Sequence, residues 1–288
     1  MDKDLIAQIE YLLCIRITRV ESLSGGDISK AFLLESDSER FFCKCNSDSG
    51  AFQLFQAEKA GLEAIAETKT IATPKVLLCE KLNEGAFLLL EYIEPKQASA
   101  NDMQRLGQQL ATMHQLSSSN AFGWKTNNYI GSLPQANEKH TDWIAFYTQK
   151  RLLPQLQMAK NKGGLSRDEI PSELQIIKTC ETLFPKVKPS LLHGDLWSGN
   201  YLIAKDGTPY LIDPAVYFGH HEVDVAMTKL FGGFDHSFYK AYEEQFPKTA
   251  GEHERNDLYQ LYYLLVHLNL FGASYKTSVT RILKRYFI

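Results

Sequence analysis

Short runs of strand-forming residues dominate the first third of the chain. IRITRVESL, AFLLES and RFFCKCN are separated by the glycine-bearing stretch SGGDIS and the polar turn SDSE, and they predict three strands between residues 15 and 46. The period then lengthens. AFQLFQAEKAGLEAIAET spaces its apolar residues for a helix, and KVLLCEKL, bounded by Pro74, and AFLLLEYIE predict two further strands. Ahead of them Leu5, Ile6, Ile9, Leu12 and Leu13 fall at helical spacing, predicting a first helix packed on this body. The pattern reads as an antiparallel sheet carrying one helix, with its edge near Pro95.

From about residue 100 helical spacing takes over, in DMQRLGQQLATMHQL, TDWIAFYTQKRLLPQLQMAKNKG, SELQIIKTCETLF and LYQLYYLLVHLNLFGASY. Only LLHGDLWSGNYLIA and its partner YLID interrupt it with strand-like runs, and no repeat or low-complexity linker is visible. The expected division is a strand-rich lobe with a hinge over 1–94 and a mainly helical lobe over 95–288.

Composition narrows the function classes. With 288 residues, 44% of them hydrophobic, the chain can bury substantial cores, which argues against disorder. The formal net charge is -3 and the 31 basic residues form no stripe suited to nucleic acid, so a small-molecule enzyme fits the balance better. No run approaches the roughly 18 apolar residues of a membrane span, since LYYLLVHLNLF is interrupted by His267 and Asn269. The start is acidic, unlike a signal peptide, and a cytoplasmic protein is expected. Five cysteines without CxxC spacing point to reduced thiols. Cys43 and Cys45 share a strand face, as a soft-metal pair or, the expected case, as small buried hydrophobes.

The chemistry concentrates in HGDLWSGN and the IDP that follows. Asp195 and Asn200 sit five residues apart in a loop, and two short strands turning at DGTP would return the chain to place Asp213 beside Asn200. One carboxylate is then available to a substrate hydroxyl, while a carboxylate and an amide oxygen suit a hard cation such as magnesium. Phosphoryl transfer needs that division of labour, because catalysis there is mostly positioning and charge neutralisation. Each residue alone can cap a turn; the whole pattern argues for chemistry. Lys44, mid-strand in FFCKC, either snorkels to solvent or reaches a ligand, and Glu58 in the following helix is placed to fix it by an ion pair. Gly25 and Gly26 in SGGDIS let backbone amides approach phosphates, although the full GxGxxG spacing is absent.

The order glycine turn, strand lysine, helix glutamate, hinge, HGDxxxxN and IDP resembles the small-molecule branch of the protein-kinase-like fold. More narrowly, LLHGDLWSGN, LIDPAVYFGHHEVDVAMTKLFGGF and YQLYYLLVHLNLFG resemble the fructosamine kinase (ketosamine 3-kinase) family, and the likeness runs from SLSGGDISKAF to the last helix. The resemblance implies an α+β, bilobal, protein-kinase-like fold with a small antiparallel-sheet lobe and a larger helical one. It makes Asp195 the catalytic aspartate, Asn200 and Asp213 the magnesium ligands, and Lys44 with Glu58 the pair anchoring the ATP phosphates. Backbone groups of Glu91, Tyr92 and Ile93 would meet the adenine edge, and Phe42, on the same strand face as Lys44, would lie against the base. By the same resemblance His193 scaffolds the catalytic loop and Asp224 bonds its backbone. Trp197 either packs in the core or walls the sugar site.

The implied reaction moves the terminal phosphate of ATP to the 3-hydroxyl of a free or protein-bound ketosamine, after which the adduct falls apart and frees the amine. An aminoglycoside or amino-alcohol phosphotransferase is the alternative within the fold, and Glu243, Glu244, Glu252, Glu254 and Asp257 hint at the acidic surface it would want, diluted by Lys240, Lys248 and Arg255. A nucleotide-binding pseudokinase is the alternative outside catalysis. The intact Lys44, Glu58, Asp195, Asn200 and Asp213 set argues against it. Neither nucleic acid nor membrane is an expected partner, and a monomer is the expected state.

Overall fold

Residues 3–23, 29–117 and 119–287 are described by the structure, a computed structural model. Helix α1 (Lys3–Leu13) buries Leu5 and Ile9 and is followed by strands β1 (Ile17–Leu23), β2 (Lys30–Ser36) and β3 (Arg40–Asn46). Helix α2 (Ala51–Glu67) precedes β4 (Val76–Lys81) and β5 (Ala86–Glu91). The five strands form one antiparallel sheet in the order β1-β2-β3-β5-β4.

Alternation along β3 sorts the side chains to two faces. Phe41 and Cys43 pack with Leu5, Ile9, Phe32, Leu34, Phe87 and Leu89, on the face that α1 covers. Phe42 belongs to the other cluster, with Phe55 and Leu62 of α2 and Leu88 and Leu90 of β5. Cys43 is therefore a buried hydrophobe with Cys45 beside it, and all five cysteines are unpaired.

A capping box starts α3 (Ala100–Leu116): Ser99 accepts from the Asp102 amide, and Asp102 accepts from the Ser99 amide at 2.9 Å. A short hairpin follows, β6 (Asn128–Ile130) with β7 (Leu133–Gln135). The stretch expected as one helix over 141–163 is α4 (Trp143–Tyr147), a π-helical turn at Thr148–Leu152, and α5 (Leu153–Asn161). Pro154 explains the break, since it has no N–H for the Lys150 carbonyl, which instead accepts from the Arg151 guanidinium at 3.0 Å.

Helix α6 (Glu173–Leu183) leads to β8 (Ser190–Leu192), and β9 (Tyr201–Ile203) pairs with β10 (Pro209–Leu211) as the hairpin expected around DGTP. Strand β11 (Tyr217–Gly219) pairs antiparallel with β8, and helices α7 (Glu222–Leu230), α8 (His236–Glu243), α9 (Glu252–Phe271) and α10 (Lys276–Tyr286) complete the chain. Strands β6, β7 and β11 lie beyond those expected from the sequence, while β8 falls on the first apolar run of LLHGDLWSGNYLIA.

The chain divides into two compact units, one reaching to Gln97 and including Leu202–Asp213, the other comprising Ala98–Tyr201 and the chain from Pro214 onward. In the second unit α9 is the central helix. Leu258, Leu261, Leu264, Leu265 and Leu268 are buried along it, as are Tyr259, Tyr262 and Tyr263, a nearly all-round apolar surface that only an enclosed helix sustains. Among the described residues no helix is long and apolar enough to cross a membrane.

Candidate functional site

In the first unit, α2 carries Phe55, Glu58 and Leu62 on one stripe, at i, i+3 and i+7, so the stripe that buries the apolar pair also turns Glu58 toward the sheet. Lys44 stands opposite Leu88 in the β3–β5 register, and its Nζ meets Glu58 Oε1 at 2.7 Å. The same ammonium is hydrogen-bonded to Asp213 Oδ1, a contact the sequence did not suggest. Lys44 therefore does not snorkel. Burial works against its charge, but Asp213 and Glu58 outweigh it and hold its pKa above the ordinary lysine value. Burial drives Glu58 upward, against the pull of the same ammonium.

Asp213 has a left-handed backbone, φ 56°, and its side chain is 41% exposed. A non-glycine residue there persists only where its surroundings impose it, and such residues cluster at functional sites. At the hinge, the Glu91 amide donates to the Lys75 carbonyl at 3.0 Å and the Tyr92 amide to the Arg40 carbonyl at 3.3 Å. Glu94 beyond them pairs with Arg40 and Lys205. Gly25 and Gly26 lie outside the described residues.

In the second unit, β8 delivers His193, Gly194 and Asp195 into the loop. Asp224, fully buried on α7, accepts from the His193 amide at 2.7 Å and the Gly194 amide at 2.9 Å, which is the role expected for it. Burial opposes the Asp224 charge, but His114 and the amides outweigh it and hold its carboxyl below its usual range. The Gly194 carbonyl accepts from Tyr263 Oη at 2.9 Å, and the His193 carbonyl accepts from the Ala215 amide at 2.8 Å. Gly194 has φ 85°, and a Cβ there would lie 2.2 Å from the Ala215 carbonyl oxygen, so only glycine fits. Gln135 Nε2 holds that carbonyl at 3.2 Å, and Gln135 Oε1 accepts from Tyr262 Oη at 2.6 Å. Adjacent tyrosines of α9 thus reach both the HGDLWSGN loop, at Gly194, and, through Gln135, the Ala215 carbonyl that packs against it.

Within the loop, Asn200 Nδ2 donates to the Asp195 carbonyl at 2.9 Å and to Asp195 Oδ2 at 3.3 Å. The amide group is thereby oriented, with Oδ1 as its acceptor end. The Asp195 amide donates to His193 Nδ1 at 3.2 Å, which fits a scaffolding histidine. Trp197 is 40% exposed, so the core-packing alternative falls; its ring lies over Gly199, where a Cβ would come within 2.3 Å of it.

Behind Asp224 stands a layer that sequence reasoning missed. His114 Nε2 is 3.1 Å from Asp224 Oδ2, its Nδ1 is 2.8 Å from Tyr242 Oη, and the same hydroxyl is 3.0 Å from His221 Nδ1. Tyrosines in apolar helices read as core, which is why Tyr242, Tyr262 and Tyr263 gave no signal; the three near-consecutive tyrosines of LYQLYY were the only available hint.

Among the described residues, His220, His221 and Glu222 group as metal-type ligands, but Tyr259, Tyr242 and the bidentate Arg255 already engage them. Of the five acidic residues the aminoglycoside alternative draws on, three are ion-paired: Glu243 with Lys248, Glu252 with Lys229, and Asp257 with Arg285.

Comparison with known proteins places this architecture. The fold is protein-kinase-like: an aminoglycoside phosphotransferase structure in complex with ADP and hygromycin B superposes with a TM-score of 0.62 at 16% identity, covering 98% of each chain. Residues 2–288 match the family model of fructosamine kinase, and the chain belongs to that family. It is 39% identical to a probable ketoamine kinase of Synechocystis sp. over 94% of this chain and 90% of that one. It is 40% identical to a chloroplastic protein-ribulosamine 3-kinase of Arabidopsis thaliana, over 94% of this chain and 83% of that one. The crystal structure of a putative fructosamine-3-kinase from Haemophilus somnus matches with a TM-score of 0.89 at 28% identity, covering 99% of this chain and 97% of the other.

Proposed function

We propose that the protein is an ATP-dependent ketosamine 3-kinase, acting in the cytoplasm, where its five unpaired thiols stay reduced. The observation that carries this reading is the whole-length match to the fructosamine kinase family in a chain that keeps Lys44, Glu58, Asp195, Asn200 and Asp213.

Asp195 orients the 3-hydroxyl of the ketosamine and accepts its proton as the hydroxyl oxygen bonds to the terminal phosphorus of ATP and the bond to ADP breaks. Lys44, held by Glu58, anchors phosphate oxygens through a charge that its two carboxylate partners keep in place. The adenine edge is assigned to the carbonyls of Glu91, Tyr92 and Ile93 and to the Ile93 amide, because the other two amides are committed to Lys75 and Arg40. Phe42 is assigned to the base, from the strand face it shares with Lys44.

The Asn200 amide oxygen and the partly exposed Asp213 carboxylate are hard oxygen donors, a set that fits magnesium. Bound there, the ion would neutralise charge on the phosphates. No step of the proton transfer depends on it, because Asp195 accepts the proton directly.

The product carries its phosphate at C3 beside the C2 carbonyl. Enolisation toward C1 makes the phosphate an allylic leaving group, and hydrolysis of the resulting imine releases the amine. The protein supplies only the phosphorylation. The test is ADP formation with ribulose-, erythrulose- and fructose-derived amines against a panel of aminoglycosides. Turnover on the ketosamines is expected, and turnover confined to the aminoglycosides overturns the reading.

A further inference from the structure

Large apolar side chains left exposed beside a catalytic loop ask for an occupant. In the described part of the second unit the exposed aromatic ones are Trp197, on the loop itself, Phe231 at 41% and Phe271 at 47%. The last two are joined through a third ring. Phe231 lies 4.8 Å from His267, and His267 lies 5.4 Å from Phe271 and 5.0 Å from Tyr275, centroid to centroid. Phe271 and Tyr275 stand 6.4 Å apart, so the four rings form one continuous platform.

The platform is tied to the catalytic loop from two directions. On one side Phe231 leads through Gly232 to Gly233, where a Cβ would come within 2.3 Å of Ser198 Cβ, and the Gly233 carbonyl accepts from Tyr201 Oη at 3.0 Å. Only glycine, at φ 88°, lets that segment lie so close to the loop. On the other side His267 Nδ1 donates to the Tyr263 carbonyl at 2.8 Å, and the hydroxyl of Tyr263 reaches the Gly194 carbonyl, next to Asp195. The platform therefore borders the loop that holds the catalytic aspartate, within the same unit.

The chemistry of the substrate says what reaches it. In a ketosamine the amine nitrogen is on C1 and the phosphate acceptor is on C3, with only C2 between them. When Asp195 holds the 3-hydroxyl, the amine and its substituent must leave the sugar close to the loop. That nitrogen is a secondary amine, protonated at neutral pH, and aromatic faces attract such a cation as well as an apolar chain attached to it. We propose that Phe231, His267, Phe271 and Tyr275 form the subsite for the amine-borne part of the ketosamine and make the enzyme prefer aromatic or apolar amines to small ones. The proposal rests on the ketosamine 3-kinase reading above and adds to it a selectivity for the amine.

The experiment compares two ketosamines built on the same sugar, one on phenethylamine and one on glycine, by kcat/KM in the wild-type protein and in Phe231→Ala, Phe271→Ala and, as a control, Leu174→Ala, exposed elsewhere in the unit. The wild type should prefer the phenethylamine adduct. Each phenylalanine variant should reduce that preference by roughly tenfold, the worth of one aromatic contact, mainly through KM. Leu174→Ala should leave the ratio unchanged. A wild-type ratio near one, or variants that lose both substrates equally, overturns the subsite while leaving the kinase reading intact. A change in sedimentation coefficient in the phenylalanine variants, with the ratio unchanged, overturns it in favour of an interface between two copies. No turnover on either adduct overturns the parent reading and this one together.

Discussion

Asp195 owes its place to the groups that hold the backbone around it. Asp224, Tyr263 and Ala215 hold the two residues before it, and Asn200 holds its own carbonyl. Asp195→Asn should therefore fold with a melting temperature close to that of the wild type, bind ATP, and lose roughly 10²–10⁴ in turnover, the share of a positioned general base. Stopped-time ADP release measures it, and near-normal turnover would remove the role given to Asp195. The residues of this site were legible in sequence because their types are out of place: a lysine in mid-strand, a loop carrying a carboxylate and an amide, an aspartate after an apolar strand. What the sequence could not show is that Lys44 bonds Asp213 as well as Glu58, since that contact joins positions far apart in the chain. It also left Trp197 undecided, because nothing local fixes whether an indole beside a glycine faces core or solvent.

At the scale of elements, helices α3, α7 and α8 meet in the His114, Asp224, Tyr242 and His221 chain of hydrogen bonds. Removing the shared hydroxyl keeps the ring packing and frees His114 to reorient, and with it the carboxylate that holds the loop amides. Tyr242→Phe should lower kcat about tenfold with little change in KM for ATP, and should cost about 1 kcal/mol of stability. Steady-state kinetics beside a denaturant titration checks both. A stability loss with unchanged kcat would mean that Tyr242 only packs. Strand-forming runs bounded by turns predicted the strands of the first unit, of which β2 and β5 are buried on both faces and β1 is mostly exposed, and helical spacing predicted most helices. The sequence pattern missed β6, β7 and β11, three residues long each, too short to show a period. It also ran α4 and α5 together, since the apolar spacing continues through the π-helical turn that Pro154 imposes.

For the molecule as a whole, buried titratable groups set the pH range of stability. Burial, joined by the nearby Arg255 and His114, holds His220 down to about 3; burial, joined by His220 and His114, holds His221 down to about 2. Both start from an ordinary value of 6.5. Depressed in the folded state, they stay neutral there while the unfolded chain takes up protons, so stability is full above pH 6.5 and falls as the pH drops toward 3. Melting temperatures between pH 7 and 5 should fall with acidification, and His221→Gln should flatten that slope; equal slopes would contradict the assignment. The change in period near Pro95 falls close to Gln97, where the leading stretch of the first unit ends. The return of Leu202–Asp213 to the first unit was not readable, because a short hairpin carries no mark of the body it joins.

Transfer of phosphate to the 3-hydroxyl of a ketosamine can be watched by following the phosphorus itself. The protein is incubated with ATP, magnesium and a ribulosamine, and the mixture is followed by phosphorus NMR together with an assay for free amine. One new phosphate monoester is expected, assigned to C3 by its coupling, which decays to inorganic phosphate as the amine appears at a rate independent of protein concentration. A stable ester at another hydroxyl, or ADP formed with no phosphorylated sugar, would contradict transfer to the 3-hydroxyl.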